Sequence, residues 1–137
     1  IKLLKIDIIS KMYFERIEMT IRECYERLGQ NYEEVLDRLG NEAILKKFVV
    51  KFLDDPSYQM LEEGLKTGNA EQAFRAAHTI KGICLNLGFD KLYQASSDIT
   101  EQLRGKDIVE GTEERFLEVK KQYADLTDTI RKMAMDE

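Results

Sequence analysis

A single proline, Pro56, in a chain of 137 residues is the feature that most narrows the choice of fold. Proline is the residue a helix interior tolerates least, so its near absence leaves long stretches free to be helical. Glycine supplies the punctuation instead. Gly29, Gly40, Gly68, Gly88 and Gly105 each follow a segment with helical apolar spacing, where helices commonly turn left-handed and stop. Starts stand just beyond the stops. Thr20-Ile21-Arg22-Glu23 and Asn69-Ala70-Glu71-Gln72 are capping-box patterns, and Asn31 and Asn41 can cap helices of their own. Asp55-Pro56 has the form of an N-cap followed by proline at the first helical position.

These signals predict helices from Thr20 to Gly29, Asn31 to Leu39, Asn41 to about Leu53 and Asp55 to Thr67. Further helices are predicted from Asn69 to Leu87, Asp90 to Arg104 and Thr112 to about Met133. No stretch alternates like a strand between turn signals. Connections this short suit antiparallel neighbours. The expected fold class is all-α: an antiparallel, up-and-down four-helix bundle, with additional short N-terminal helices between Thr20 and Leu39 covering one end. Residues 19–137 are expected to form that domain. Residues 1–18 fit helical and strand periods only in part and are set apart as an N-terminal extension. Met133 and Met135 are expected to be a fraying C-terminus.

Charge and composition exclude several functions. Acidic residues outnumber basic ones, 26 to 21, for a net charge of -5. That balance argues against nucleic-acid binding, which needs a basic face. The longest apolar runs are three residues, as in Phe48-Val49-Val50, too short to span a membrane. Lys2, Lys5, Asp7 and Lys11 interrupt any signal-peptide core, so a cytoplasmic setting is expected. Cys24 and Cys84 lie far apart without metal spacing and are expected to be two buried thiols. With one histidine, His78, a His-rich zinc site or a zincin motif is impossible, and no glycine-rich phosphate loop is present. No metal site is expected. Carboxylate hydrolysis through Asp54 and Asp55 is weak, because those residues end one helix and cap the next.

At about 100° per residue, Ala73, Ala76, Ala77, Ile80, Ile83, Cys84 and Leu87 share one stripe of the Asn69–Leu87 segment. His78 falls on the opposite side, among Glu71, Arg75 and Gly82, while Phe74, Lys81 and Leu85 lie between the faces. A lone histidine is usually a satisfied core residue or an inert surface one. The wheel disfavours the core, and its neighbours favour chemistry. Gly82, one turn on, costs roughly 1 kcal/mol in a helix interior relative to Ala and clears space beside the ring. Lys81, three residues on, puts an ammonium within reach of an anion attached to the imidazole. Phe74 and Leu85 add apolar surface suited to docking. Imidazoles titrate near neutrality, about 6.5 in model compounds, and their neutral form is a good nucleophile. Together these groups form a receptacle for a phosphoryl group.

The run Ala77-His78-Thr79-Ile80-Lys81-Gly82, with Gly88 ten residues after the histidine, resembles the signature of histidine-containing phosphotransfer (HPt) domains, the helical-bundle carriers of multistep two-component phosphorelays. The resemblance covers about Thr20 to Met133. It implies that His78 is the phosphoacceptor, that Lys81 neutralises the phosphoryl group and that Gly82 leaves room for it. Many members carry glutamine or asparagine facing the histidine at the position that is Thr100 here. Thr100 is therefore either a shorter-reaching partner of His78 or a surface residue flanking the stripe Leu92, Ala95, Ile99 and Leu103. Glu71, Phe74, Arg75 and Leu85 are the expected receiver-docking residues. The resemblance further implies transfer from a receiver-domain aspartyl-phosphate to another receiver, on a hybrid histidine kinase or a response regulator. It implies Mg²⁺ on the receiver and no cofactor of the chain's own. A monomeric phosphocarrier without kinase activity is expected, and the rival reading is a non-catalytic helical adaptor binding through the same surface.

Overall fold

The computed structural model describes residues 19–134, and they contain helices and no strand. The N-terminal extension and Met135 lie outside the described residues. Three short helices, α1 (Ile21–Arg27), α2 (Tyr32–Leu39) and α3 (Glu42–Lys51), precede four longer ones. These are α4 (Ser57–Thr67), α5 (Ala70–Leu87), α6 (Asp90–Leu103) and α7 (Glu113–Ala134).

Local chemistry sets most of the boundaries. Thr20 Oγ1 accepts from the Glu23 amide at 3.1 Å, Asn31 Oδ1 from Glu34 and Asn69 Oδ1 from Gln72, also at 3.1 Å. Asn41 Oδ1 accepts from both Ala43 and Ile44. Each bond satisfies an amide that the first helical turn leaves without a partner. Asp55 Oδ1 accepts from the Ser57 amide at 2.9 Å, but Pro56 stands at the cap and the helix begins at Ser57, one residue later than the cap-and-proline pattern suggests. Two ends differ slightly. The helix expected to reach Leu53 tightens into a 3₁₀ turn over Phe52–Asp54, and Arg104 leaves the helical conformation one residue early.

The bundle is α4 to α7, antiparallel in chain order, with α5 packed between α4 and α6. Its core takes Leu61 from α4, Ala73, Ala77, Ile80 and Cys84 from α5, Ile99 and Leu103 from α6, and Val119, Ile130 and Met133 from α7. The alanines of α5 let its neighbours approach closely. At Gly64 of α4 the backbones come close, and a Cβ there would lie 2.8 Å from the Ala73 backbone nitrogen. The short helices close the end of the bundle at the α5–α6 turn, as expected. Tyr25 donates its hydroxyl to the Leu87 carbonyl at 2.7 Å, and Arg38 donates to the Asn86 carbonyl. Gly88 turns there at φ +72°, under the Val35 side chain.

Met133 corrects the fraying expectation. It is fully buried, because Val119, Tyr123, Leu126, Ile130 and Met133 form one continuous stripe along α7. A spacing of alternating threes and fours keeps that stripe on one face to the last turn. Both cysteines are free and buried. Burial pushes the Cys24 thiol up to about 11 and raises that of Cys84 as well.

Candidate functional site

The outward face of α5 carries the site. Burying Ala73, Ala76, Ala77, Ile80, Cys84 and Leu87 fixes the rotation of the helix. His78 is thereby exposed, together with Glu71, Arg75, Gly82 and Leu85, which is 55% exposed. Glu71 and Arg75 pair with each other one turn apart. Phe74 and Lys81 are half-buried on the flank facing α6. Ile83, which the wheel places on the core stripe, is also only half-buried and faces a groove towards α3.

The site is a chain of contacts across α5 and α6. The Phe74 ring stacks on the His78 imidazole, with centroids 6.0 Å apart and planes 15° from parallel. The Arg104 guanidinium lies 5.1 Å from the Phe74 ring centre, within cation–π range. Arg104 donates two hydrogen bonds to the Glu101 carboxylate, both at 3.0 Å. Lys81 Nζ approaches the same carboxylate at 3.9 Å. Arg104, then Lys81 and His78, hold the Glu101 carboxyl below the usual carboxylate range.

Gly82 faces open space: a Cβ built there meets nothing within 4 Å. Packing within the bundle therefore gives no reason for a glycine in mid-helix.

Thr100 corrects part of the expectation. It is not a surface residue, being completely buried. Its hydroxyl donates to the Ser96 carbonyl at 2.6 Å, within its own helix, which is how a buried threonine commonly satisfies its polar group. Glu101, the next residue, brings α6's carboxylate to the surroundings of His78. Neither Glu101 nor Arg104 stands out in the sequence as a site residue. Their spacing of three residues marks a helical ion pair, but only the rotation of α6 against α5 shows that the pair faces the histidine's flank.

The site is an open face, not a cavity. The apolar groove lined by Leu39, Phe48, Phe52, Ile83 and Leu87 lies beyond it and includes neither His78 nor Lys81. Among the described residues, no group of three or more His, Cys, Asp or Glu side chains is placed to hold a metal ion. No described helix is long and apolar enough to cross a membrane.

A helical bundle that displays its one histidine on an open helix face, flanked by a cation and an apolar ring, has the build of a module whose partner must come to it. The Hpt domain family model matches residues 12–129, and the chain belongs to that family. Its members are histidine phosphotransfer domains of phosphorelays: phosphocarriers, not autonomous kinases, that interact with receiver domains. The match begins within the segment set apart as an extension. The chain has no significant match among curated proteins or solved structures.

Proposed function

We propose that His78 takes a phosphoryl group from the aspartyl-phosphate of one receiver domain and passes it to a second. The observation that carries this reading is the exposure of the chain's one histidine on α5, beside Lys81 and the open space at Gly82. In the accepting step an imidazole nitrogen gives its lone pair to phosphorus. The N–P bond forms, the P–O bond to aspartate breaks, and that electron pair leaves with the carboxylate. Passing the group on reverses these changes against a second aspartate.

Lys81 offsets charge on the phosphoryl oxygens, and Gly82 gives the group and the docking surface room. Glu71, Phe74, Arg75 and Leu85 form the docking surface for receivers of a hybrid histidine kinase or a response regulator. The receiver brings Mg²⁺, whose role is to neutralise charge as the phosphoryl group moves. The carrier works as a monomer in the cytoplasm, a setting that suits two free thiols.

Incubation with phosphoramidate, and separately with a phosphorylated receiver, tests the proposal. The wild-type chain should gain an acid-labile phosphate, and His78→Gln should gain none. The substitution should change stability by no more than about 0.5 kcal/mol, because the imidazole is exposed. An acid-labile phosphate on His78→Gln would overturn the assignment. A wild-type chain that binds receivers but is never labelled would be an adaptor.

A further inference from the structure

A carboxylate beside a phosphoacceptor needs explaining, because it repels the group the histidine is to carry. Glu101 is such a carboxylate, and it occupies the two cations on the α6 side of the site: Arg104 through two hydrogen bonds at 3.0 Å and Lys81 at 3.9 Å. The Arg104 pair alone would be an ordinary contact within one helix. Lys81 is different, because it belongs to α5 and lies three residues from His78. Its side chain is only 24% exposed, so it lies along the helix interface towards Glu101 and does not stand out in solvent. Arg104 is tied to the same place from the other side, through the Phe74 ring on which the imidazole stacks.

We infer that Glu101 is a positioning residue that competes with the phosphorylated histidine for Lys81 and Arg104, and so keeps the phosphoryl group easy to pass on. This rests on the carrier reading above. Lys81, Arg104 and Glu101 together carry one net positive charge, against roughly two negative charges on a phosphoryl group. Without Glu101 both cations are free to neutralise the phosphoryl oxygens, and the phosphohistidine becomes a deeper well. With Glu101 present, part of that stabilisation is withheld. A carrier that must give up its group to a second acceptor gains from such a limit.

The experiment uses phosphoramidate and ammonia as donor and acceptor, so that receiver docking plays no part. Labelling breaks the P–N bond of phosphoramidate, forms the N–P bond at His78 and releases ammonia with a proton from solvent. Added ammonia reverses it. The ratio of the two rate constants measures the stability of the phosphohistidine. Glu101→Gln should raise that ratio by about two- to fivefold, the range open to exposed ion pairs. Glu101→Asp should restore most of the wild-type value, and about 1 M salt should shrink the difference. In a Lys81→Ala/Arg104→Ala background, Glu101→Gln should have a much smaller effect. An unchanged ratio in Glu101→Gln, or a full effect in that background, would overturn the competition. Failure of the wild-type chain to label at His78 would instead overturn the carrier reading on which it rests.

Discussion

At the scale of single residues, Gly82 and His78 explain each other. An exposed mid-helix glycine with no neighbour to accommodate is a cost without a return inside the bundle. Gly82→Ala should therefore raise stability by up to about 1 kcal/mol through helix propensity, read as a higher melting temperature. It should leave labelling by phosphoramidate intact. Gly82→Leu should also label with this small donor, yet lose transfer from a receiver, whose surface must close over the site. Equal receiver transfer by the Leu variant and the wild type would show that nothing docks tightly above Gly82. The outward turn of His78 was legible because a stripe of seven small or apolar residues on one helix wheel leaves little freedom. Thr100 and Glu101 were not. Adjacent helical residues point about 100° apart, so deciding which one faces α5 needs the rotation of α6, a property of packing that its own stripe sets only coarsely.

At the scale of elements, the same substitution should have the opposite sign at another glycine. Gly64 lies within α4, and a Cβ there would stand 2.8 Å from the nitrogen and 3.1 Å from the Cα of Ala73, and 3.1 Å from the Asn69 carbonyl oxygen. All three are backbone atoms and cannot rotate aside, so α4 and α5 would have to move apart. The propensity gain is then outweighed by overpacking, which typically costs 1–3 kcal/mol. We expect Gly64→Ala to lower the midpoint of thermal or urea unfolding while Gly82→Ala raises it. A stabilised Gly64→Ala chain would mean that the two helices pack less closely than 2.8 Å implies. Helix starts were legible because a cap is made within four residues of sequence, as at Asn69 and Gln72. The close contact at Gly64 was not, because it joins two faces whose register no local signal reports. Met133 follows Ile130 by three residues on the α7 stripe, so its core place lies in the periodicity and not in its nearness to the terminus.

At the scale of the molecule, the capping of one bundle end decides how the fold responds to alkali. The sequence indicated that short helices would cover an end, and they enclose Cys24, Tyr25 and Cys84 there and in the core behind it. Burial is the main reason all three ionise less readily than usual, with Cys24 raised to about 11. In the unfolded chain a thiol titrates near 9.0. Below that, folded and unfolded chains both hold the proton, and the contribution to stability is complete. As pH rises from about 9 towards 11 the unfolded chain ionises first, so stability falls across that window. Cys24 alone accounts for a loss on the order of 2 kcal/mol. Urea unfolding at about pH 8 and about pH 10.5 should show the fall. Cys24→Ala should remove only its own share of the fall, leaving that of Cys84 and Tyr25, while lowering stability at the lower pH. If the wild-type midpoint is the same at both, the end formed by α1 and α2 is open to water, and the contact between Tyr25 and Leu87 does not seal it.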